Sequence, residues 1–310
     1  MTGIILLITY TAAAGWRGPA ALRRGWAVRM PRLAIGLWLA LSASWVTAAA
    51  LAILGLTAPA QLAWPGPHAA AAATPAARAG TAPMPVHAAG LLLAAALPAW
   101  AGASVAWRLA SSRRERRRLA ALLATAGRAD PELGALIVSQ DAPAAYCLPG
   151  RPHRIVISDG TLAVLQPAQL QAVLAHEHAH LRGRHHLLVA TASALGRAFP
   201  FVPLLAQAGD HVPALAEMAA DDHATRRHDH TDLAAALVIL ATTRARHAAL
   251  TAGGTAAITR IQRLLAPPRP PGRPARIGRL AAGAAGLTLA ATITCLPLIA
   301  AACGLAGGHA

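Results

Sequence analysis

The sequence predicts a mainly α-helical membrane protein, with about four transmembrane helices and a smaller cytoplasmic α+β domain. Three observations predict it. First, the 310 residues are 55% hydrophobic and only 13% charged, with a mean hydropathy of +0.45. A soluble globular chain carries roughly 25% charged residues, and a disordered one needs low hydrophobicity. Second, four apolar runs lack any charge: 3–16, 33–57, 88–107 and 280–305. Third, arginine-rich segments alternate with these runs.

The run 3–16 is short against the roughly 17–25 residues that cross a bilayer. No basic segment precedes it and no small-residue cleavage site follows, so it reads as a span rather than a signal peptide. The runs 33–57 and 88–107 are long enough outright. Arg17, Arg23, Arg24, Arg29 and Arg32 follow the first run, and Arg108 and the cluster 113–118 follow the third. Arg269, Arg273, Arg276 and Arg279 precede the fourth. The outer loop 58–87 carries only Arg78. The positive-inside rule then places 17–32 and 108–279 in the cytoplasm, as in a multi-pass protein of a bacterial inner membrane. The net charge of +16 and pI of about 11.7 fit nucleic-acid binding in principle. The arginines cluster beside apolar runs instead, so a lipid-headgroup anchor is expected at 113–118 and direct nucleic-acid binding is not.

The expected domains are a three-span membrane domain (1–109), a cytoplasmic domain (110–265), a Pro/Arg linker (266–279) and a last helix (280–305). Residues 65–86 read as a flexible, low-complexity outer loop. Within the cytoplasmic domain, 113–126 reads as a basic helix continuing the third span. Strands are expected at 135–139 and 154–158, with a third at 144–148, each bounded by Pro, Gly or Asp. Pro167 opens a helix at its favoured first-turn position, with Leu170, Val173, Leu174 and Leu181 at helical spacing.

That helix carries His176, Glu177 and His180 as H-E-x-x-H. Positions i and i+4 share a helix face. Two imidazoles can therefore grip one Zn²⁺, with Glu177 beside it as a base. With 14 histidines in the chain, chance placement gives this pattern in about one such chain in a hundred, so a second element is needed. After Pro213, Glu217 and Asp221 again stand at i and i+4. A catalytic zinc site takes three protein ligands, and two histidines with one glutamate are a known set. Glu217 is the expected third ligand. Asp221 is suited to orient a ligand imidazole. One Zn²⁺ per chain follows. His178, His185 and His186 read as solvated or packing residues, Tyr146 as packed, and the three cysteines as apolar fillers.

H-E-x-x-H followed by E-x-x-x-D resembles the gluzincin-type membrane metallopeptidases. The stretches AAYCLPGRPHRIVISDG, LAHEHAHLRGRHHLLVA and EMAADDHA are similar to the BlaR/MecR family, in a short form. The penicillin-binding sensor domain of that family has no room in 310 residues. The resemblance implies a zincin-like zinc endopeptidase that cleaves a cytoplasmic protein, such as a winged-helix repressor of the penicillinase-repressor type, in signal transduction. An oligomer is compatible with it. The peptide would lie along an edge strand, for which Arg154, Ile155, Val156, Ile157 and Ser158 are the candidate. Two other readings are an HtpX-like quality-control protease and a non-catalytic zinc-bearing scaffold. HtpX-like enzymes place two spans between H-E-x-x-H and the glutamate ligand, and 181–216 is too short for two. That segment is expected to form a buried or re-entrant hairpin, turning near Arg197, Pro200 and Pro203.

Overall fold

A computed structural model describes residues 2–57, 84–247 and 254–266. The expected fourth span and nearly all of the Pro/Arg linker lie outside these residues. Helices α1 (Thr2–Leu22), α2 (Gly25–Arg29), α3 (Pro31–Thr57) and α4 (Met84–Ala126) come first. Then follow β1 (Gly127–Asp130), β2 (Ala135–Val138), β3 (Ala145–Leu148) and β4 (Arg154–Ser158). The remaining helices are α5 (Asp159–Val164), α6 (Pro167–Arg182), α7 (His185–Ala198), α8 (Pro203–Ala224), α9 (His230–His247) and α10 (Gly254–Leu265).

Among the described residues, two helices, α3 and α4, are long and apolar enough to cross a membrane. Only 22% and 17% of their apolar windows are buried inside the protein. A soluble core helix would be mostly covered; here Leu91, Leu92, Leu93, Trp100 and Trp107 of α4 stand exposed, and lipid is the environment that suits them. Four spans were expected. Helix α1 forms, but its second half takes in Arg17, Gly18 and Pro19 and it is not among the helices that qualify. Helix α4 runs unbroken from the apolar stretch into the basic one, as the sequence predicts.

The expected hairpin is present as α7 and α8, which pack on each other and on α1, α3 and α4. Its turn lies among the middles of the apolar helices. Trp100 donates to the Ala198 carbonyl at 3.3 Å, Trp45 meets Phe199 edge-on, and Phe201 is exposed at the tip. Helix α8 begins at Pro203, not after Pro213, which sits inside it. The hairpin's return limb and the helix bearing Glu217 are thus one rod. Its buried face, Leu204, Leu205, Ala208, Val212, Leu215 and Ala216, packs in one core with residues of α3 and α4 and ties the two regions together.

The four-stranded sheet has the order β1-β2-β4-β3. Strand β1 was not expected. Its sequence, GRAD, has no apolar alternation and is strand only through antiparallel pairing with β2. Strand β4 pairs in parallel with β2 and antiparallel with β3. This corrects the expected substrate strand. Both edges of Arg154, Ile155, Val156, Ile157 and Ser158 are already occupied, leaving no free backbone edge for a peptide. The edge strand on that side is β3.

Candidate metal centre

Pro167 starts α6, and the Gln169 side chain accepts the Gln166 backbone N–H at 3.0 Å. Three turns on, His176 and His180 point from one face toward α8, with ring centroids 4.7 Å apart. Alanines let the helices approach closely: Ala172 and Ala179 on α6, Ala216 and Ala220 on α8, all buried. The Nε2 atoms of His176 and His180 lie 3.0 Å apart. Glu217 faces both, Oε2 at 3.5 Å from His176 Nε2 and Oε1 at 3.4 Å from His180 Nε2. The three side chains offer ligand atoms that all lie within 4.8 Å of one another.

Each imidazole has a partner behind it. His176 Nδ1 stands 3.0 Å from Asp221 Oδ1, the contact expected of Asp221. His180 Nδ1 stands 3.0 Å from His185 Nδ1. The sequence predicts His185 to be a solvated or packing residue, because it lies five residues past His180, off the i+4 register. The chain turns in between: Gly183 ends α6 and Arg184 takes a left-handed conformation (φ 48°), which folds His185 back under His180. His185 is buried. A Cβ at Gly183 would collide with the His185 ring. Gly183→Ala should therefore loosen His180 and weaken metal binding about tenfold, the scale set by orienting partners. A chelator-competition titration checks this, and unchanged affinity would remove His185 from the site.

Arg260 is the residue that sequence reading missed. It reaches in from α10, its Nε and Nη2 donating to Asp221 Oδ2 and Oδ1 at 2.8 and 2.7 Å. Its Nη1 is 2.7 Å from Glu217 Oε2. Next to it, Arg263 pairs with Asp222 and donates to the Val28 carbonyl at 3.1 Å. Burial alone would raise the Asp221 carboxyl, but the Arg260 fork and His176 override it and hold it at about 2. Glu217 is likewise brought to about 2 against its burial, by His176 and Arg260. Burial disfavours charge on His176, yet Asp221 and Glu217 reverse this and lift it to about 9. Burial and the neighbouring His176 push His180 down to about 4.

The donor set fits a zinc ion. Two ring nitrogens and a carboxylate converge, and His176 and Arg260 keep Glu217 ionised, the form in which a carboxylate binds a cation. Glu177 lies next to this cluster without belonging to it. Its burial raises its proton affinity, and both the thiol and the backbone N–H of Cys147 face it. Cys147, expected as an apolar filler, is part of the site's wall, its own thiol pushed up to about 12 by burial and by Glu177. A cavity of about 460 Å³ opens here, walled by Tyr146 and Cys147 of β3, Leu237 and Leu240 of α9, and Arg260. An apolar pocket with a few convergent polar groups is the usual form of a binding site.

The model of peptidase family M48 matches residues 110–264, half of the chain and the half that holds every residue of this site. No curated protein and no solved structure matches.

Proposed function

Given that the chain belongs to peptidase family M48, we propose that it is a membrane-anchored zinc metalloendopeptidase with its site on the arginine-rich, cytoplasmic side. The observation that carries this reading is the convergence of His176, His180 and Glu217 beside Glu177, in a cavity bordered by an edge strand. His176, His180 and Glu217 would hold Zn²⁺, which would supply Lewis acidity toward the scissile carbonyl. Glu177 takes a proton from the water that adds to the scissile carbonyl carbon, and delivers it to the amide nitrogen as the C–N bond breaks. Its burial-raised proton affinity suits that exchange. The substrate lies extended beside β3, whose outer edge is unpaired among the described residues, so Ala145–Leu148 replaces β4 as the strand that receives it. Asp221 and His185 keep the imidazoles in register.

A protein substrate follows from this reading, and the sensor-transducer resemblance narrows it to a winged-helix repressor. The test is cleavage by the full chain in nanodiscs of such a repressor and, separately, of unfolded membrane proteins. Cleavage of the repressor at one site supports signalling; broad cleavage of the unfolded set supports quality control. Either activity should vanish on chelation and return with zinc. Activity that survives complete removal of metal would end the proposal, and so would no cleavage of either substrate by metal-loaded protein.

A further inference from the structure

A second cavity, larger than the first at about 970 Å³, lies on the opposite side of α6 from the metal ligands. Its walls come from three separate parts of the chain. Helix α4 contributes Arg113, Arg116 and Arg117, which share a face at i, i+3 and i+4. The β3–β4 connection contributes Arg151, and Arg154 opens β4. Arg182 at the end of α6 and Arg184 in the turn before α7 complete the walls. Among the described residues, no Asp or Glu lines the cavity. Among the described residues, none of these seven arginines forms a salt bridge.

The positive-inside rule explains arginines that directly follow a span, and so explains those of α4. It does not explain why four more, from 34 or more positions along the chain, should converge on the same concavity. Gathering like charges costs stability unless a counter-charge joins them. The surroundings show the same imbalance. His186, also in the lining, keeps a buried Nδ1 with no partner. Burial first, then Arg116 and Arg184, depress its imidazole. Arg113 lies six residues past Trp107, about 9 Å along the helix. The polar layer on each face of a bilayer is about 6 Å deep, so the cavity mouth stands at the outer margin of the headgroups when Trp107 marks the apolar boundary.

We propose that this cavity is a binding site for clustered phosphate groups, presented by an anionic phospholipid headgroup or by a free diphosphate. Arginine forks bind phosphate oxygens two at a time, and opposed walls of such forks suit more than one phosphate. The site is independent of the peptidase reading.

The experiment uses the full chain. Pyrophosphate is titrated calorimetrically into protein in neutral detergent. Separately, native mass spectrometry follows lipid retention from phosphatidylcholine nanodiscs with and without cardiolipin. Retained cardiolipin that pyrophosphate displaces supports the site and names the headgroup as its source. Pyrophosphate binding without lipid preference supports it with a free phosphate as source. Arg117→Gln/Arg151→Gln removes one exposed arginine from each of two walls and should weaken binding about 25-fold, since each such arginine contributes about fivefold. Arg113→Gln/Arg182→Gln repeats the test should the first pair fail to fold. Arg23→Gln/Arg24→Gln, exposed residues outside the cavity, should bind as the unsubstituted chain does. The proposal is overturned by absent binding of both probes, by wild-type binding in the folded cavity variants, or by equal loss in the Arg23/Arg24 control. Binding of an oligonucleotide where pyrophosphate fails overturns it too.

Discussion

Glu177→Gln is expected to stop cleavage while the protein keeps its metal. Glutamine has nearly the same shape, so it can fill the largely buried space next to Cys147 without disturbing α6. What it cannot do is accept a proton and pass it on. General-base groups contribute about 10²–10⁴-fold in rate, and the substituted site has no second carboxylate free for the task. Glu217 faces both imidazoles and Arg260, and Asp221 is buried against His176 and Arg260. Metal content should be unchanged, because Glu177 is not among the three side chains whose ligand atoms cluster. Full activity in the variant would refute the base role, and loss of metal would make Glu177 a ligand instead. The same variant separates the biological readings when proteomes are compared. A single full-length regulator that accumulates points to signalling, whereas many membrane proteins accumulating points to quality control.

What the sequence made legible was what rests on short-range periodicity. His176 and His180, and then Glu217 and Asp221, are visible because i and i+4 share a helix face wherever the helix lies. That the two helices meet was inferred from the chemistry of the donor set, and the alanines that permit it carry no signal of their own. Strand order was not legible. Ile155, Val156 and Ile157 form a continuous apolar run, which marks a strand covered on both faces and was itself a reason to place β4 inside the sheet rather than at its edge. His185 escaped because the i+4 rule assumes an unbroken helix, and Gly183 was the sign that the helix ends. Arg260 lies 39 residues from Asp221, beyond any spacing rule. Its only trace was that Arg260 and Arg263 stand one turn apart on an amphipathic helix, matching the neighbouring Asp221 and Asp222 they bind. The M48 match supports the peptidase and carries nothing about a sensor-transducer role, so that part of the resemblance stays with the substrate test.

Arg260→Ala should destabilise the metal-free protein strongly and the zinc-loaded protein much less. Asp221 is 1% exposed and depends on the guanidinium fork for two of its hydrogen bonds. Removing one partner of a buried ion pair costs about 3–5 kcal/mol, because the other charge stays buried and uncompensated. Glu217 loses its contact with the same guanidinium. A zinc ion held by His176, His180 and Glu217 would be a second cation serving this carboxylate pair. Each cation is therefore worth less when the other is present. The thermal midpoint should fall several degrees more in chelator than in zinc, since about 1 kcal/mol moves it by roughly 2–4 °C in a domain of 150–250 residues. By thermodynamic reciprocity, the same coupling makes zinc bind the folded variant more tightly than it binds the parent. Arg260→Lys keeps the charge but not the planar fork that spans both carboxylates, so it should recover only part of the loss. Equal falls with and without zinc would show that Arg260 braces the helices without answering to the metal site's charge, and α10 would then be scaffold alone.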